Sequence, residues 1–83
     1  MSIKNYRVVP TGYIIKEYLE EYGISQKQLS EWINISEKQI SNLLAGKSKL
    51  TEEMAIKLES VITGVPASYW LNYEAMYHEQ EAG

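Results

Sequence analysis

The chain has 83 residues, a length that allows one small domain and leaves little room for a large enzyme cavity. Apolar residues make up 45% and charged residues 23%, and seven Tyr and two Trp argue against a disordered chain. With no cysteine, a disulfide framework and a thiolate metal site are excluded, and the net charge of -3 excludes a uniformly basic surface.

The acidic residues are concentrated in the last third of the chain. Residues 26–50 carry four Lys against two Glu, a balance of +2, whereas residues 51–83 carry one Lys against six Glu, a balance of -5. The middle of the chain can therefore present a locally positive face to phosphates, although the sum is negative.

The first ten residues, MSIKNYRVVP, show no helical period. Ile3, Tyr6, Val8 and Val9 predict an extended arm over residues 1–10. The segment lacks the apolar region of a signal peptide, and no apolar run approaches the ~20 residues of a membrane span. We therefore expect a soluble, cytoplasmic protein without a membrane partner.

An amphipathic pattern predicts a first helix from Thr11 or Gly12 to Tyr22, and Gly23 is a typical C-terminal stop. Its apolar face comprises Ile14, Ile15, Tyr18, Leu19 and Tyr22.

Two short helices follow, each with its own start signal. Ser25 and Ser36 each precede a glutamine by three residues, Gln28 and Gln39, which predicts two capping boxes. The predicted helices are Gln26–Trp32 and Glu37–Leu44, with Leu29, Trp32, Ile33, Ile40, Leu43 and Leu44 buried.

The turn between these helices has two distinctive residues. Asn34 tolerates the left-handed backbone that a tight turn requires. Ser30 is small, as expected where two steeply crossing helices approach each other most closely. The spacing of these residues is that of a helix-turn-helix.

Two further helices complete an all-α fold. Thr51 is predicted to cap the fourth helix, and Pro66 suits the first turn of the fifth. Trp70 and Leu71 are expected to close the core over the fourth helix. The apolar stripe of the fourth helix is Met54, Ala55, Leu58, Val61 and Ile62.

Beyond the motif, three segments resemble the HigA/VapI-type antitoxin branch of the phage-repressor-like (XRE) helix-turn-helix family. They are residues 11–30, 35–59 and 64–75. The chain departs from the usual pattern at Thr11, where relatives commonly have Pro, at Asn34, where Gly is common, and at Trp32, where a smaller aliphatic residue is usual.

This resemblance implies a five-helix phage-repressor-like domain over residues 11–83 that binds a palindromic DNA operator as a homodimer. It also implies a RelE-like ribonuclease toxin as a partner, because short members of the family are antitoxins. The final residues, YEAMYHEQEAG, look like a helix cut in mid-course, so the N-terminal domain of a longer regulator is an alternative expectation.

In a helix-turn-helix the exposed N-terminal side of the second helix enters the major groove. Amides pair with adenine, and lysine reaches guanine acceptors. The alternative is an ordinary solvated face, and the capping role of Gln39 competes with base contact. The predicted base-contacting residues are Glu37, Lys38, Gln39, Ser41 and Asn42.

Phosphate contacts are expected on either side of that helix, where helix N-termini and lysines can face the DNA backbone. Any single lysine is equally well explained as a solubilising residue. The predicted phosphate-contacting residues are Gln26, Lys27, Ser36, Lys47 and Lys49.

Aromatic residues of the fifth helix form a band too wide for one core stripe. Tyr69, Tyr73 and Tyr77 are therefore candidates for a dimer interface, with a role in the core of the subunit as the alternative.

The sequence predicts no enzyme, cofactor or metal. His78-Glu79 begins like the zinc motif H-E-x-x-H, but Ala82 occupies the position of the second histidine. The glutamates fall on helix faces where solvation explains them. The remaining alternative is a protein-interaction module that neutralises a toxin without binding DNA.

Overall fold

A computed structural model describes residues 9–82, with side chains as far as residue 80. Over this range the chain forms five α-helices: α1 Thr11–Tyr22, α2 Gln26–Ile33, α3 Glu37–Leu44, α4 Glu52–Val61 and α5 Ala67–Ala82. The all-α prediction is confirmed. Most of the predicted N-terminal arm, residues 1–8, lies outside the described residues.

The helix ends follow the local signals that predicted them. Gly23 adopts the left-handed conformation (φ 73°) after α1, while the Ile24 N–H donates to the Leu19 carbonyl at 2.8 Å. Thr51 caps α4 by accepting from the Met54 N–H at 3.2 Å. Pro66 immediately precedes α5, and its carbonyl accepts from the Tyr69 N–H at 3.0 Å.

One core joins all five helices, because each contributes at least one buried apolar residue. Helix α1 packs on α3 and α5, α2 packs on α3 and α4, and α4 packs on α5. Trp70 is fully buried, as predicted, and its ring meets that of Tyr18 edge-on at 5.3 Å. The buried apolar residues are Ile15, Leu19, Leu29, Ile33, Ile40, Leu43, Leu44, Leu50, Met54, Ala55, Leu58, Ile62 and Trp70.

Trp32 was expected in this core, and that prediction is wrong. Its side chain is 57% exposed, whereas Leu29 and Ile33 of the same helix are buried. Helix α2 has only eight residues and packs on α3 and α4 through a narrow face. Position 32 lies about 100° around the helix from position 33, outside that face.

Helix α1 approaches α3 closely at Gly12. A Cβ atom at this position would lie 1.7 Å from the Leu43 carbonyl oxygen and 2.9 Å from the Leu44 Cα. Only glycine allows this contact, which holds the C-terminal end of α3 against the start of α1. Among the described residues no helix is both long and apolar enough to cross a bilayer.

Candidate nucleic-acid interface

The start of α2 is fixed by a complete capping box. The Ser25 hydroxyl accepts from the Gln28 N–H at 3.0 Å, and the Ser25 N–H donates to Gln28 Oε1 at 3.0 Å. This confirms the first predicted box. It leaves Gln26 and Lys27 exposed in the first turn of α2, at the positive end of the helix dipole.

The turn into α3 is held by its two distinctive residues. Asn34 has the predicted left-handed backbone (φ 57°, ψ 46°), and its N–H donates to the Ser30 carbonyl. The Ser30 carbonyl also accepts from the Ile35 N–H at 3.3 Å, and the Ser30 hydroxyl donates to the Ile35 carbonyl. Sequence reasoning found Ser30 through its small size and missed this hydroxyl bond, which links α2 directly to the residue before the cap of α3.

The second predicted capping box forms only in part. The Ser36 hydroxyl accepts from the Gln39 N–H at 3.1 Å, but it also donates to Gln39 Oε1 at 3.3 Å. Because the Gln39 carboxamide bonds to the hydroxyl instead of the Ser36 backbone, the reciprocal half of the box is not made. The Gln39 amide nitrogen remains a donor that can reach an acceptor outside the protein.

Four of the five predicted base-contacting side chains lie together on the exposed side of α3. Asn42 is half-buried, and its backbone carbonyl accepts from the Lys47 N–H at 2.8 Å. The opposite side of α3 is buried in the core. The four exposed residues are Glu37, Lys38, Gln39 and Ser41.

The predicted phosphate-contacting residues are all exposed and occupy three places around α3. Gln26 and Lys27 open α2, Ser36 precedes α3, and Lys47 and Lys49 lie in the loop that follows α3. Within residues 9–82, none of Lys27, Lys38, Lys47 and Lys49 forms an ion pair. Their charge is therefore available to an external anion.

The loop that carries Lys47 and Lys49 is anchored at both ends. At its start the Gly46 N–H donates to the Leu43 carbonyl at 3.0 Å and the Lys47 N–H donates to the Asn42 carbonyl at 2.8 Å. At its end the Leu50 N–H donates to Glu74 Oε2 of α5 at 3.3 Å. We call this segment, which carries Lys47 and Lys49, the lysine loop. Because it is short and held at both ends, its two lysines keep a defined position relative to α3.

Glu74 corrects the expectation that the glutamates are solvated. Its side chain is 13% exposed, and besides the Leu50 N–H its carboxylate lies 2.6 Å from His78 Nε2. The i,i+4 spacing to His78 is a local signal, but the bond to the Leu50 N–H, 24 positions away in the chain, has none. It acts on the candidate interface by holding the lysine loop.

The candidate dimer residues do not form a uniformly exposed band. Tyr69 is 44% exposed, whereas Tyr73 and Tyr77 are half-buried. The Tyr73 hydroxyl donates to the Val9 carbonyl at 2.9 Å, and the Tyr77 ring lies 5.3 Å from that of His78. Part of the surface of Tyr73 and Tyr77 is therefore used within the subunit.

A family model described as helix-turn-helix matches residues 15–70. The chain is 41% identical over 71 residues to the uncharacterized HTH-type transcriptional regulator YddM of Escherichia coli K12, covering 86% of this chain and 74% of that protein. It is 38% identical over 69 residues to antitoxin HigA-1 of Vibrio cholerae, covering 82% of this chain and 64% of the antitoxin.

Among solved structures, the chain is similar to Pseudomonas aeruginosa antitoxin HigA with the higBA promoter. The TM-score is 0.84 at 25% identity, and the superposition covers 92% of this chain and 83% of that one. The chain spans only 58% of a further E. coli K12 relative, the uncharacterized regulator YbaQ, and under two thirds of the V. cholerae antitoxin.

Proposed function

Because the chain belongs to the XRE-type helix-turn-helix family of DNA-binding transcriptional regulators and antitoxins, we propose that it represses transcription by binding an operator as a homodimer. In this proposal α3 enters the major groove of each half-site. Lys38, Gln39 and Asn42 meet base edges, with Glu37 and Ser41 beside them. The expected phosphate contacts come from Gln26, Lys27, Ser36, Lys47 and Lys49.

One observation carries the proposal: α3 exposes polar side chains, while the lysines around it form no ion pair with any residue that the structure describes. Lysines that stabilise a fold by ion pairing would be occupied, as Lys57 is with Glu53 at 3.4 Å. Lys27, Lys38, Lys47 and Lys49 surround a capped helix instead. This arrangement suits a negatively charged polymer that reaches both sides of α3 at once.

The proposal assigns no catalytic role to the chain. Its relatives are regulators and antitoxins, His78 is bonded to the Glu74 carboxylate, and the chain has no second histidine that could share a zinc ion with His78. The interface described above requires no cofactor, because side-chain donors and lysine charges account for each expected contact.

The test is an anisotropy titration against the DNA upstream of the gene that encodes this chain, at several salt concentrations. If four lysines per subunit each neutralise one phosphate, a plot of log affinity against log salt for a dimer should have a slope of about -7. Scrambled DNA of equal length is the control. Equal affinity for both DNAs, or binding that does not respond to salt, would refute the proposal.

A second function, toxin neutralisation, is supported by the similarity to the V. cholerae antitoxin and by the acidic last third of the chain. A RelE-like ribonuclease is the expected partner. The adjoining reading frame should encode a small basic protein of this kind, and this chain should suppress its ribonuclease activity at a stoichiometric ratio. Suppression without any operator binding would favour the interaction-module alternative.

A further inference from the structure

Trp32 presents its indole to solvent near the C-terminal end of α2. The side chain is 57% exposed, the highest value among the large exposed apolar residues of the described chain. Together with Ser60 and Val61 of α4 it lines an open cavity of about 380 Å³. An indole costs free energy when it is left in water, so its position beside an open cavity points to a covering partner.

A second exposed apolar side chain lies on α4. Ile56 lies four residues before Ser60, which places it one turn away on the same helix face, and it is 56% exposed. We call Trp32, Ile56, Ser60 and Val61 the Trp32 patch. None of these residues belongs to the predicted DNA-contacting sets, so a partner on the patch and DNA on α3 use different side chains.

Two exposed glutamates adjoin residues of the patch. Glu31 adjoins Trp32 in α2, and Glu59 adjoins Ser60 in α4; both are exposed. The single cation of α4, Lys57, is paired with Glu53. The negative end of the α4 dipole lies beside the cavity. Because the last turn of α4 carries no basic residue, no cation of this helix compensates that partial charge.

We propose that the Trp32 patch is a docking surface for a basic protein, which lays an Arg or Lys side chain over the Trp32 indole and apolar groups on Ile56. The acidic border, the helix dipole and the face of the indole all favour a cation at this place. A second copy of the chain would place its own Glu31 and Glu59 against those of the first copy, and the like charges would repel. DNA phosphates would be repelled by the same glutamates. The inference rests on the antitoxin function proposed above and names the surface that faces the toxin.

The experiment measures binding by calorimetry, with the basic ribonuclease encoded by the adjoining reading frame as the probe. Trp32→Ala should weaken binding about 10-fold or more, because a buried tryptophan is a common hot spot of an interface. Glu59→Lys, at an exposed position, should also weaken binding and reduce its salt dependence. Tyr13→Ala is the matched control, since Tyr13 is an exposed aromatic residue of α1 that does not line the same cavity.

Unchanged affinity in both Trp32→Ala and Glu59→Lys would overturn the proposal. The absence of a basic ribonuclease that binds the wild-type chain would also overturn it. A shift in sedimentation for Trp32→Ala with toxin affinity intact would assign the patch to a second copy instead. Operator titrations on the same variants separate this proposal from the proposed DNA binding. If the wild-type chain binds the ribonuclease through Trp32 and does not bind the operator, only the DNA-binding proposal is refuted.

Discussion

The side chains of α3 differ in how freely they can reach a DNA base. Lys38 and Ser41 are exposed, and within the described residues neither side chain has an internal hydrogen bond. Gln39 has its carbonyl oxygen engaged by Ser36, so only its amide nitrogen is free to donate. Asn42 is half-buried. Of these four side chains, Lys38 is therefore the best placed to contact a base directly. The Asn42 side chain has fewer accessible orientations, so it loses less conformational entropy when it binds a base.

Replacing Lys38 or Asn42 by Ala should weaken operator binding by ~1 to 3 kcal/mol and relax the preference at one base pair per half-site. The physical reason is the loss of a donor aimed at a base edge. Affinities for the operator and for its single-base-pair variants, measured by anisotropy, check this expectation.

Lys27→Ala is the control for these two substitutions. It should weaken binding to all sequences about equally and reduce the salt slope by about one for each phosphate that is no longer neutralised. If both α3 variants keep the affinity and the base preference of the wild-type chain, α3 is not the reading helix.

At the scale of whole helices, the position of α3 depends on its two ends. Its start is tied to α2 through Ser30 and the Ile35 carbonyl, and its C-terminal end rests directly on α1 at Gly12. A helix that is held at both ends presents its exposed side in one orientation. Rigid placement of this kind lowers the entropy lost when the helix enters a groove.

The chain should not tolerate a methyl group at Gly12. Gly12→Ala places a Cβ against backbone atoms of Leu43 that cannot move without shifting α3, and we expect a loss of about 3 kcal/mol in the free energy of unfolding. Urea denaturation followed by circular dichroism measures this change.

Gly23→Ala is the matched control, because a Cβ at that position meets nothing within 4 Å and the cost comes only from its positive φ. That cost is ~1 kcal/mol. Equal destabilisation by the two substitutions would show that backbone freedom, not the contact with α3, explains the glycine at position 12.

The contrast between local and distant contacts explains how much of this fold the sequence predicts. Helix bounds were predicted to within about a residue for α1 to α3, because the signals at Ser25, Ser36 and Gly23 act over three or four residues. Whether Trp32 is covered, and whether the Glu74 carboxylate accepts from the Leu50 N–H, depends on packing between segments far apart in the chain. Periodicity within one helix carries no information on such contacts, so these two residues were misassigned.

The candidate interface shows the same division. The grouping of Lys38, Gln39 and Ser41 on an exposed side follows from helical spacing and was predicted, as was the exposure of the phosphate set. The hydrogen bond between Glu74 and the lysine loop and the close contact of Gly12 with α3 were not predicted. The first joins a loop to α5 and the second joins α1 to α3, and no residue type at either position predicts the partner.

At the scale of the whole molecule, charge is divided between two regions. Residues 26–50, which contain the helix-turn-helix, carry an excess of lysine, whereas residues 51–83 are strongly acidic. The excess of lysine around α3 gives this face a local attraction for phosphates although the chain as a whole is negative. The overall charge of -3 is thus compatible with a DNA-binding role that depends on orientation.

A homodimer that reads a palindrome should place its two α3 helices ~34 Å apart, one helical turn of DNA. Inserting five base pairs between the half-sites turns one of them to the opposite face of the duplex and should abolish dimer binding at concentrations where the native site is saturated. Footprinting of both DNAs provides the measurement. Full protection of both half-sites in the DNA with five inserted base pairs would contradict a rigid dimer on one face.

The hydrogen bond between the Leu50 N–H and Glu74 also makes one amide proton a reporter for the whole molecule. Leu50 is buried, and its N–H is held by a side chain of the last helix. That proton can exchange with deuterium from solvent only when the contact with α5 opens. A single exchange rate therefore measures how firmly the lysine loop is held, and comparing free with DNA-bound protein shows whether DNA tightens it.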